Sequence, residues 1–174
     1  MAKRWRIHPH DSARISLLAQ AAGISPVVAR LLICRGLVDP VQARNFLDPK
    51  LTALRDPSEL PGVPAAVERI SAAIARRERI VVYGDYDVDG MTATSLLVGC
   101  LKLLGADAGY YVPHRLDEGY GLNRDALKTL ASQGAKLVIT VDCGIASVDE
   151  AAAAREAGLS LIITDHHQPG PQLP

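Results

Sequence analysis

Four short apolar runs alternate with helical patterns in the second half of the chain, and this alternation constrains the fold more than any other feature. The runs are rich in β-branched residues, so we predict strands over residues 80–84, 108–112, 136–141 and 159–164. Helices closed by glycines are predicted between them, near 91–104, 123–133 and 146–157. Such strands separated by helices indicate buried parallel strands with right-handed crossovers. The predicted fold class is therefore α/β, a mostly parallel β-sheet with helices on both faces.

The first part of the chain is predicted to be a small helical region. Helices are expected to begin at Ser25-Pro26 and Asp39-Pro40, where a capping side chain precedes a proline that suits the first helical position. Residues 48–64 are rich in proline and are interpreted as an extended connector. We therefore divide the chain into residues 1–60, a helical region with its connector, and residues 61–174, the α/β domain.

Composition excludes several classes of protein. The net charge is zero, which gives no support for a nucleic-acid partner, and the basic cluster Lys3, Arg4 and Arg6 is interpreted as a solvated face. The three cysteines lack CxxC spacing, which argues against disulfides and structural zinc, and Cys34 and Cys100 are predicted to be buried thiols in apolar helices. Because no apolar run is long enough to span a membrane or to form a signal-peptide core, we expect a cytoplasmic protein with no membrane association.

Acidic side chains follow three of the four predicted strands. The carboxyl ends of parallel strands share one edge of a sheet, where ligands bind, so these side chains would converge there. The three aspartates after the first strand could lie on one side if the chain stays extended. Oxygen ligands with one or two histidines suit Mn²⁺, Mg²⁺ or a pair of such ions. The residues are Asp85, Asp87 and Asp89 after the first strand, Asp142 after the third, and Asp165, His166 and His167 after the fourth.

Each of these elements also has an ordinary explanation. Aspartate and glycine form turns, and an aspartate after a strand often caps the next helix, as Asp142 could cap the helix near 146. The second strand leads into a loop in which Arg115 offers a guanidinium suited to phosphate, Tyr120 could stack or donate, and Gly121 permits close backbone approach. The same loop could equally be a surface loop that ends in an N-cap at Asn123. The residues alone leave both interpretations of this loop open.

Metal-assisted attack of water on a phosphoester fits a carboxylate-rich site of this kind. Two cations would lower the pKa of the attacking water, neutralise the phosphate and hold the leaving oxygen in line. A carboxylate cage with few cysteines suits that chemistry better than it suits redox chemistry.

Four ordered motifs, GDYDVDG, VPHRLDEGYGL, TVDCGI and TDHH, resemble the DHH phosphoesterase superfamily, and within it the RecJ family of single-strand-specific exonucleases. The segments CRG and ARNFLDP extend the resemblance to essentially the whole chain. It implies a 5′-to-3′ exonuclease that uses Mn²⁺ or Mg²⁺, two ions in the complete protein, and releases 5′-mononucleotides in DNA recombination and repair. The implied partners are single-stranded DNA with a 5′-phosphate end and a single-stranded-DNA-binding protein or helicase.

The resemblance also implies roles for the residues that match its motifs. The implied metal ligands are Asp85, Asp87, Asp89, Asp142 and His166, with Asp142 bridging two ions. The implied catalytic residues are Asp87, Asp89, Asp142 and His167. Substrate contacts are implied for Arg115, which would hold the 5′-phosphate, for Tyr120 and Gly121 in the same loop, and for His167 at the scissile phosphate. Asp165 would orient the histidines from behind them.

Two departures from the family pattern matter. RecJ-like proteins run to several hundred residues, so we expect an N-terminal fragment whose DHH domain is truncated after the DHH motif and which is inactive by itself. DHH pyrophosphatases and nanoRNases carry a histidine where this chain has Tyr83, which favours the RecJ family over an enzyme that hydrolyses short oligonucleotides, cyclic dinucleotides or pyrophosphate. A non-catalytic DNA-replication binding module is the other alternative, and such a protein would be expected to lose its acidic ligands.

Overall fold

The computed structural model describes residues 10–174 of the chain. These residues belong to two compact units, which divide after Pro57. The predicted basic cluster at Lys3, Arg4 and Arg6 lies outside the described residues.

The first unit contains three short helices packed around a small aliphatic core. Both predicted helix starts are confirmed, because the Ser25 and Asp39 side chains accept hydrogen bonds from backbone N–H groups of the first turn. The predicted connector is not extended throughout, since 3₁₀ turns form at Leu51–Ala53 and Pro57–Glu59. The helices are α1 (Ser12–Ala22), α2 (Pro26–Cys34) and α3 (Pro40–Leu47). Their core includes Ile15, Leu18, Ala29, Leu32 and Ala43.

The second unit is an α/β layer structure, as predicted. Its four strands pair in parallel in the order β2-β1-β3-β4. The strands are β1 (Arg79–Gly84), β2 (Ala108–Tyr111), β3 (Ala135–Val141) and β4 (Ser160–Thr164). The helices are α4 (Val63–Ala75), α5 (Val88–Leu103), α6 (Arg124–Ser132) and α7 (Val148–Glu156).

Helices cover both faces of this sheet. Because successive side chains of a strand point to opposite faces, Val81 and Tyr83 of β1 pack in one cluster with α6 and α7, while Ile80 and Val82 pack in another with α4 and α5. All four of these side chains are buried. Burial on both faces explains why the strands are continuous apolar runs in the sequence.

The register of the sheet brings three strand ends level with one another. Gly84 at the end of β1 pairs with Val141 at the end of β3, and Val141 pairs with Thr164 at the end of β4. The next residue along each strand is an aspartate. The sheet therefore places the backbones of Asp85, Asp142 and Asp165 side by side at its carboxyl edge.

The prediction that Cys34 and Cys100 are buried is wrong, because both thiols are exposed. Cys34 follows the buried Leu32 by two residues, and Cys100 immediately precedes the buried Leu101. Because successive residues of a helix point in different directions, neither cysteine shares the burial of its neighbouring leucine. Helix α5 is apolar on several sides, so its sequence pattern does not identify the core face. Among residues 10–174 no single helix is long and apolar enough to cross a membrane; only α1 and α2 taken together meet that test, and they are bent by 112°.

Candidate metal centre

The segment after β1 turns directly into a helix. Strand β1 ends at Gly84 and α5 begins at Val88, with Asp87 as its N-cap. An Asp87 carboxylate oxygen accepts a hydrogen bond from the Gly90 N–H at 3.0 Å, so the ordinary capping explanation holds for this residue. Asp89 lies in the first helical turn. The chain therefore does not stay extended, and the three aspartates do not share one side of a strand.

Two glycines allow α5 to start directly against the end of β1. A Cβ atom at Gly84 would lie 2.0 Å from Thr94 Oγ1, and one at Gly90 would lie 2.5 Å from the Asp85 carbonyl oxygen. Neither contact is possible for a larger residue without movement of the backbone or of Thr94. This close packing buries Asp85, whose exposed fraction is 2%, beneath the start of the helix.

Asp142 has an uncommon backbone conformation for a residue with a side chain. Its φ angle is +64°, in the left-handed region, where aspartate is tolerated better than most residues. The turn is held by hydrogen bonds from the Asp142 N–H to the Thr164 carbonyl at 3.0 Å and from the Thr140 hydroxyl to the Cys143 carbonyl at 2.8 Å. The fold thus fixes a strained residue at the end of β3, and such strain is found mainly at functional sites.

The three side chains of the Asp165-His166-His167 triplet have different partners. One Asp165 oxygen accepts the Ile145 N–H at 2.9 Å, and the other lies 2.7 Å from His167 Nδ1. Asp165 therefore fixes the His167 ring, which is the geometry that an orienting residue requires. His166 instead points to Asp142, with its Nε2 2.9 Å from Oδ1.

Five of these side chains form two groups that share Asp142. In each group, one ligand atom per residue lies within 4.8 Å of the others, and the groups are Asp85, Asp87 and Asp142, and Asp142, His166 and His167. Oxygen and imidazole donors of this kind suit Mn²⁺ or Mg²⁺. Oδ1 of Asp85 is buried and has no hydrogen-bond partner among the described residues, whereas the buried Oδ1 of Asp142 lies 2.9 Å from His166 Nε2. Buried carboxylate oxygens need such a partner, so the donor set fits a divalent cation.

Asp89 and Asp165 stand outside these two groups. Asp89 is exposed and lines a hollow of about 370 Å³ together with Asp142 and His166. It thus faces the second group from α5. Asp165 has both oxygens engaged with Ile145 and His167. The structure therefore brings together all seven acidic and imidazole residues singled out from the sequence. Five of them form the two candidate ligand groups, Asp89 lies beside the second group, and Asp165 lies behind His167.

The charges of the site are mutually dependent. Burial, and then the nearby Asp87 carboxylate, raise the pKa of Asp142 above its ordinary value. The Gly90 N–H lowers the pKa of Asp87. Burial opposes ionisation of Asp165, but hydrogen bonds from Ile145 and His167 outweigh it and lower the pKa of Asp165. The hydrogen bond to Asp165 in turn raises the pKa of His167.

A row of rings connects Arg115 to this site. The Arg115 guanidinium lies over the Tyr86 ring at 5.1 Å, within the range of a cation–π contact. The Tyr86 and Tyr120 rings meet edge to face with centroids 6.4 Å apart, and Tyr120 meets His167 in the same way at 5.9 Å. The Tyr120 hydroxyl lies 3.2 Å from His167 Nδ1. Sequence reasoning missed Tyr86, since nothing in a tyrosine between two aspartates indicates that it supports an arginine 29 positions away.

Gly121 contributes its backbone to the same loop. Its φ angle of +86° lies in the region that favours glycine, and its carbonyl accepts a hydrogen bond from the Tyr83 hydroxyl at 3.1 Å. Asn123 caps α6, as the ordinary explanation of this loop expected.

Comparison with known proteins shows the family. The single-stranded-DNA-specific exonuclease RecJ of Bacillus subtilis is 46% identical over 171 residues, which cover 98% of this chain and 22% of that protein. RecJ of Thermus thermophilus is 41% identical over 168 residues, 96% of this chain and 24% of the relative. This chain thus spans about a quarter of the length of the relatives that it matches.

Solved structures of similar proteins contain metal ions. A crystal structure of exonuclease RecJ bound to manganese matches 66% of this chain and 30% of its own, with a TM-score of 0.63 and 42% identity. The structure of RecJ from Thermus thermophilus in complex with Mn²⁺ matches 98% of this chain and 24% of its own, with a TM-score of 0.68 and 32% identity. The model of the DHH family, N-terminal domain, matches residues 79–174, which include β1 to β4 and the whole candidate metal centre. The chain therefore belongs to the DHH family.

Proposed function

We propose that this chain is the metal-binding N-terminal part of a RecJ-like exonuclease. In this proposal the complete enzyme hydrolyses single-stranded DNA from 5′ to 3′ and releases 5′-mononucleotides in recombination and repair. The observation that carries the proposal is the pair of ligand groups that share Asp142 at the carboxyl edge of the sheet. The similarity to exonucleases named RecJ supports the substrate class.

The two groups suggest two cation positions. Asp85 and Asp87 would hold one ion, His166 the other, and Asp142 would bridge them. Asp89 would contribute from the hollow beside His166. Bound Mn²⁺ or Mg²⁺ would supply Lewis acidity at the phosphate and lower the pKa of water. The protein's own contribution is to fix these oxygen atoms in place before any ion or substrate arrives.

His167 is proposed to contact the scissile phosphate rather than to serve only as a ligand. Asp165 holds its Nδ1 and raises its pKa, which favours an imidazolium that can donate to a phosphate oxygen. Tyr120, whose hydroxyl lies 3.2 Å from His167 Nδ1 and 3.4 Å from the Asp142 carbonyl, would further restrict the ring.

Arg115 is proposed to bind the 5′-phosphate of the DNA strand. Its guanidinium forms no ion pair with the carboxylates of residues 10–174, so its donors remain available to an anion. Tyr120 and Gly121 would line the path from this phosphate to the metal centre. A single-stranded-DNA-binding protein or a helicase would deliver the strand, and the DNA substrate would place the enzyme in the cytoplasm.

The position of Tyr83 favours this proposal over other DHH activities. Tyr83 takes the place of a histidine in pyrophosphatases and nanoRNases, yet it is fully buried and its hydroxyl is engaged by Gly121. A residue in that environment is not offered to a metal ion. A substrate panel with long single strands, dinucleotides, cyclic dinucleotides and pyrophosphate, used on a chain long enough to be active, separates these possibilities.

The test for this chain is a calorimetric titration with Mn²⁺. We expect weak, saturable binding to residues 1–174 that is lost in an Asp87→Ala, Asp142→Ala double variant. An Asp107→Ala, Asp125→Ala double variant removes two exposed carboxylates outside the centre and should bind as the unchanged chain does. Equal binding by all three proteins would refute the metal centre.

Activity is tested separately from metal binding. We propose that the isolated chain has little or no nuclease activity, because it spans about a quarter of the length of its relatives. Degradation of 5′-phosphorylated single-stranded DNA by purified residues 1–174, at a rate near that of a full-length relative, would refute this part of the proposal.

A further inference from the structure

The loop between β2 and α6 is fastened at two places by tyrosine hydroxyls. The Tyr83 hydroxyl donates to the Gly121 carbonyl at 3.1 Å near the end of the loop. The Tyr111 hydroxyl donates to Glu118 in its middle. The two tyrosine rings contact each other with centroids 5.2 Å apart. The loop that carries Arg115 is therefore anchored to the sheet through side chains rather than through strand pairing.

Glu118 closes the turn on which Arg115 lies. Its second carboxylate oxygen accepts the His114 N–H at 2.7 Å, and its own N–H donates to the His114 carbonyl at 2.9 Å. Residues 114–118 thus form a closed turn, and the Glu118 carboxylate ties it to Tyr111 at the end of β2. The His114 N–H and the Tyr111 hydroxyl together lower the pKa of Glu118.

The same contacts keep Glu118 away from Arg115. A carboxylate three residues from an arginine could neutralise it, but both Glu118 oxygens are occupied by Tyr111 and His114. Arg115 lies instead over the ring of Tyr86, which stands between the ligands Asp85 and Asp87. The distance from Arg115 to the metal centre therefore depends on the turn that Glu118 closes.

We propose that Glu118 is a positioning residue that holds Arg115 in place for a terminal phosphate. The proposal rests on the proposed role of Arg115, and it adds a residue that touches neither phosphate nor metal. Glu118 acts through two hydrogen bonds, from Tyr111 and from the His114 backbone. Without them the turn would open and the guanidinium would lose its fixed position over Tyr86.

The direction in which phosphate affinity changes when Glu118 is removed separates a positioning role from a simple effect of its charge. Removal of an acidic side chain near a phosphate site should tighten phosphate binding if charge alone matters. Loss of positioning should weaken it, because the guanidinium would have to be ordered again on binding. Glu118→Ala combines both effects, whereas Glu118→Gln removes the charge but can still accept from the His114 N–H through its amide oxygen and donate to the Tyr111 oxygen through its amide nitrogen.

The experiment is an NMR titration of the complete 174-residue chain with thymidine 5′-monophosphate and with thymidine, in Mg²⁺ buffer. We expect Arg115→Ala to weaken binding of the nucleotide about tenfold and Glu118→Ala about threefold to tenfold, with binding of thymidine unchanged. Glu118→Gln should restore binding to the original level or better. Asp117→Ala, which removes a neighbouring carboxylate paired only with His114 at 2.8 Å among the described residues, is the matched control and should not weaken binding.

Two further variants make the result decisive. Tyr111→Phe removes only a hydroxyl and should also weaken nucleotide binding, which covers the case in which Glu118→Ala fails to fold. Adding Glu118→Ala to Arg115→Ala should cause no further loss. Unchanged or tighter binding by Glu118→Ala overturns the positioning role while the role of Arg115 stands. No effect of Arg115→Ala overturns both, and leaves the Mn²⁺ titration as an independent test of the metal centre.

Discussion

Replacement of Asp142 by asparagine should make the protein more stable than the unchanged chain when no metal ion is present. When a metal ion is bound, the same replacement should make it less stable. Asp142 is 8% exposed and lies close to Asp87, and together burial and the Asp87 carboxylate raise its pKa even though His166 Nε2 lies 2.9 Å from its Oδ1. Burial of an incompletely compensated charged group costs about 1–3 kcal/mol, and the loss of the His166 contact offsets part of what its removal would gain. Asparagine removes the charge and tolerates the left-handed backbone conformation at this position. In EDTA we therefore expect Asp142→Asn to be more stable by about 1–2 kcal/mol.

The metal ion reverses this order. An ion that binds only the folded state at about 100 times its dissociation constant stabilises that state by roughly 2.7 kcal/mol. The unchanged chain should gain that amount in Mn²⁺, and Asp142→Asn should gain little because both ligand groups contain Asp142. The sign also follows from the raised pKa of Asp142. The folded state holds its proton more tightly, so ionisation above that pKa costs stability, and asparagine avoids this cost.

Urea denaturation followed by circular dichroism, in EDTA and in Mn²⁺ at about pH 8, measures both effects. Asp107→Asn is the control, since Asp107 is exposed and lies just before β2, at the amino end of the strand and away from the candidate metal centre at the carboxyl edge of the sheet. An Asp142→Asn protein that is less stable than the unchanged chain in EDTA would refute the argument from burial and repulsion. Equal stabilisation of both proteins by Mn²⁺ would refute the assignment of Asp142 as the shared ligand.

Two further predictions concern the glycine contact and the histidine pair. Gly90→Ala should destabilise the second unit by about 1–3 kcal/mol, because the new Cβ would lie 2.5 Å from the Asp85 carbonyl oxygen. Gly99→Ala in the same helix would meet nothing within 4 Å and should stabilise the unit by up to about 1 kcal/mol. Urea denaturation of both variants measures the difference, and an equal response of the two would contradict the prediction. The His167–Asp165 pair raises the pKa of His167, so its contribution to stability is complete below the unfolded pKa of histidine and is lost as the pH rises through the higher folded value. Thermal melts in EDTA between about pH 5 and pH 9 should show this loss, and His167→Gln should flatten that part of the profile.

The sheet and the meeting of its strand ends could be predicted because both follow from simple regularities. Runs of β-branched residues such as Val81 to Tyr83, separated by helical patterns, are typical of buried parallel strands, and parallel strands end on the same edge. The convergence of Asp85, Asp142 and Asp165 at one edge was therefore predictable, whereas their direct adjacency follows from the strand order β2-β1-β3-β4.

The local geometry of the site could not be predicted in the same way. A repeat of aspartates at every second position suggests one face of a strand, but the helix begins at Val88 and turns Asp87 into its cap. The left-handed conformation of Asp142 depends on hydrogen bonds to residues on other parts of the sheet, such as Thr164. Glu118 gave no signal because its partners, Tyr111 and the His114 backbone, are defined only by the folded loop.

The position of the ligand groups has a consequence for how this unit holds together. Asp85 follows β1 and His166 follows β4, about eighty residues later in the sequence. Ions bound to these groups and bridged by Asp142 would act as a covalent cross-link does, since they close a very long loop in the chain and restrict the unfolded ensemble. They would fasten β4, a strand at the edge of the described sheet that pairs with β3, at the end where it carries the histidines. Loss of metal would then be felt first as fraying of that outer strand, and hydrogen exchange in Ser160–Thr164 would report the ion directly.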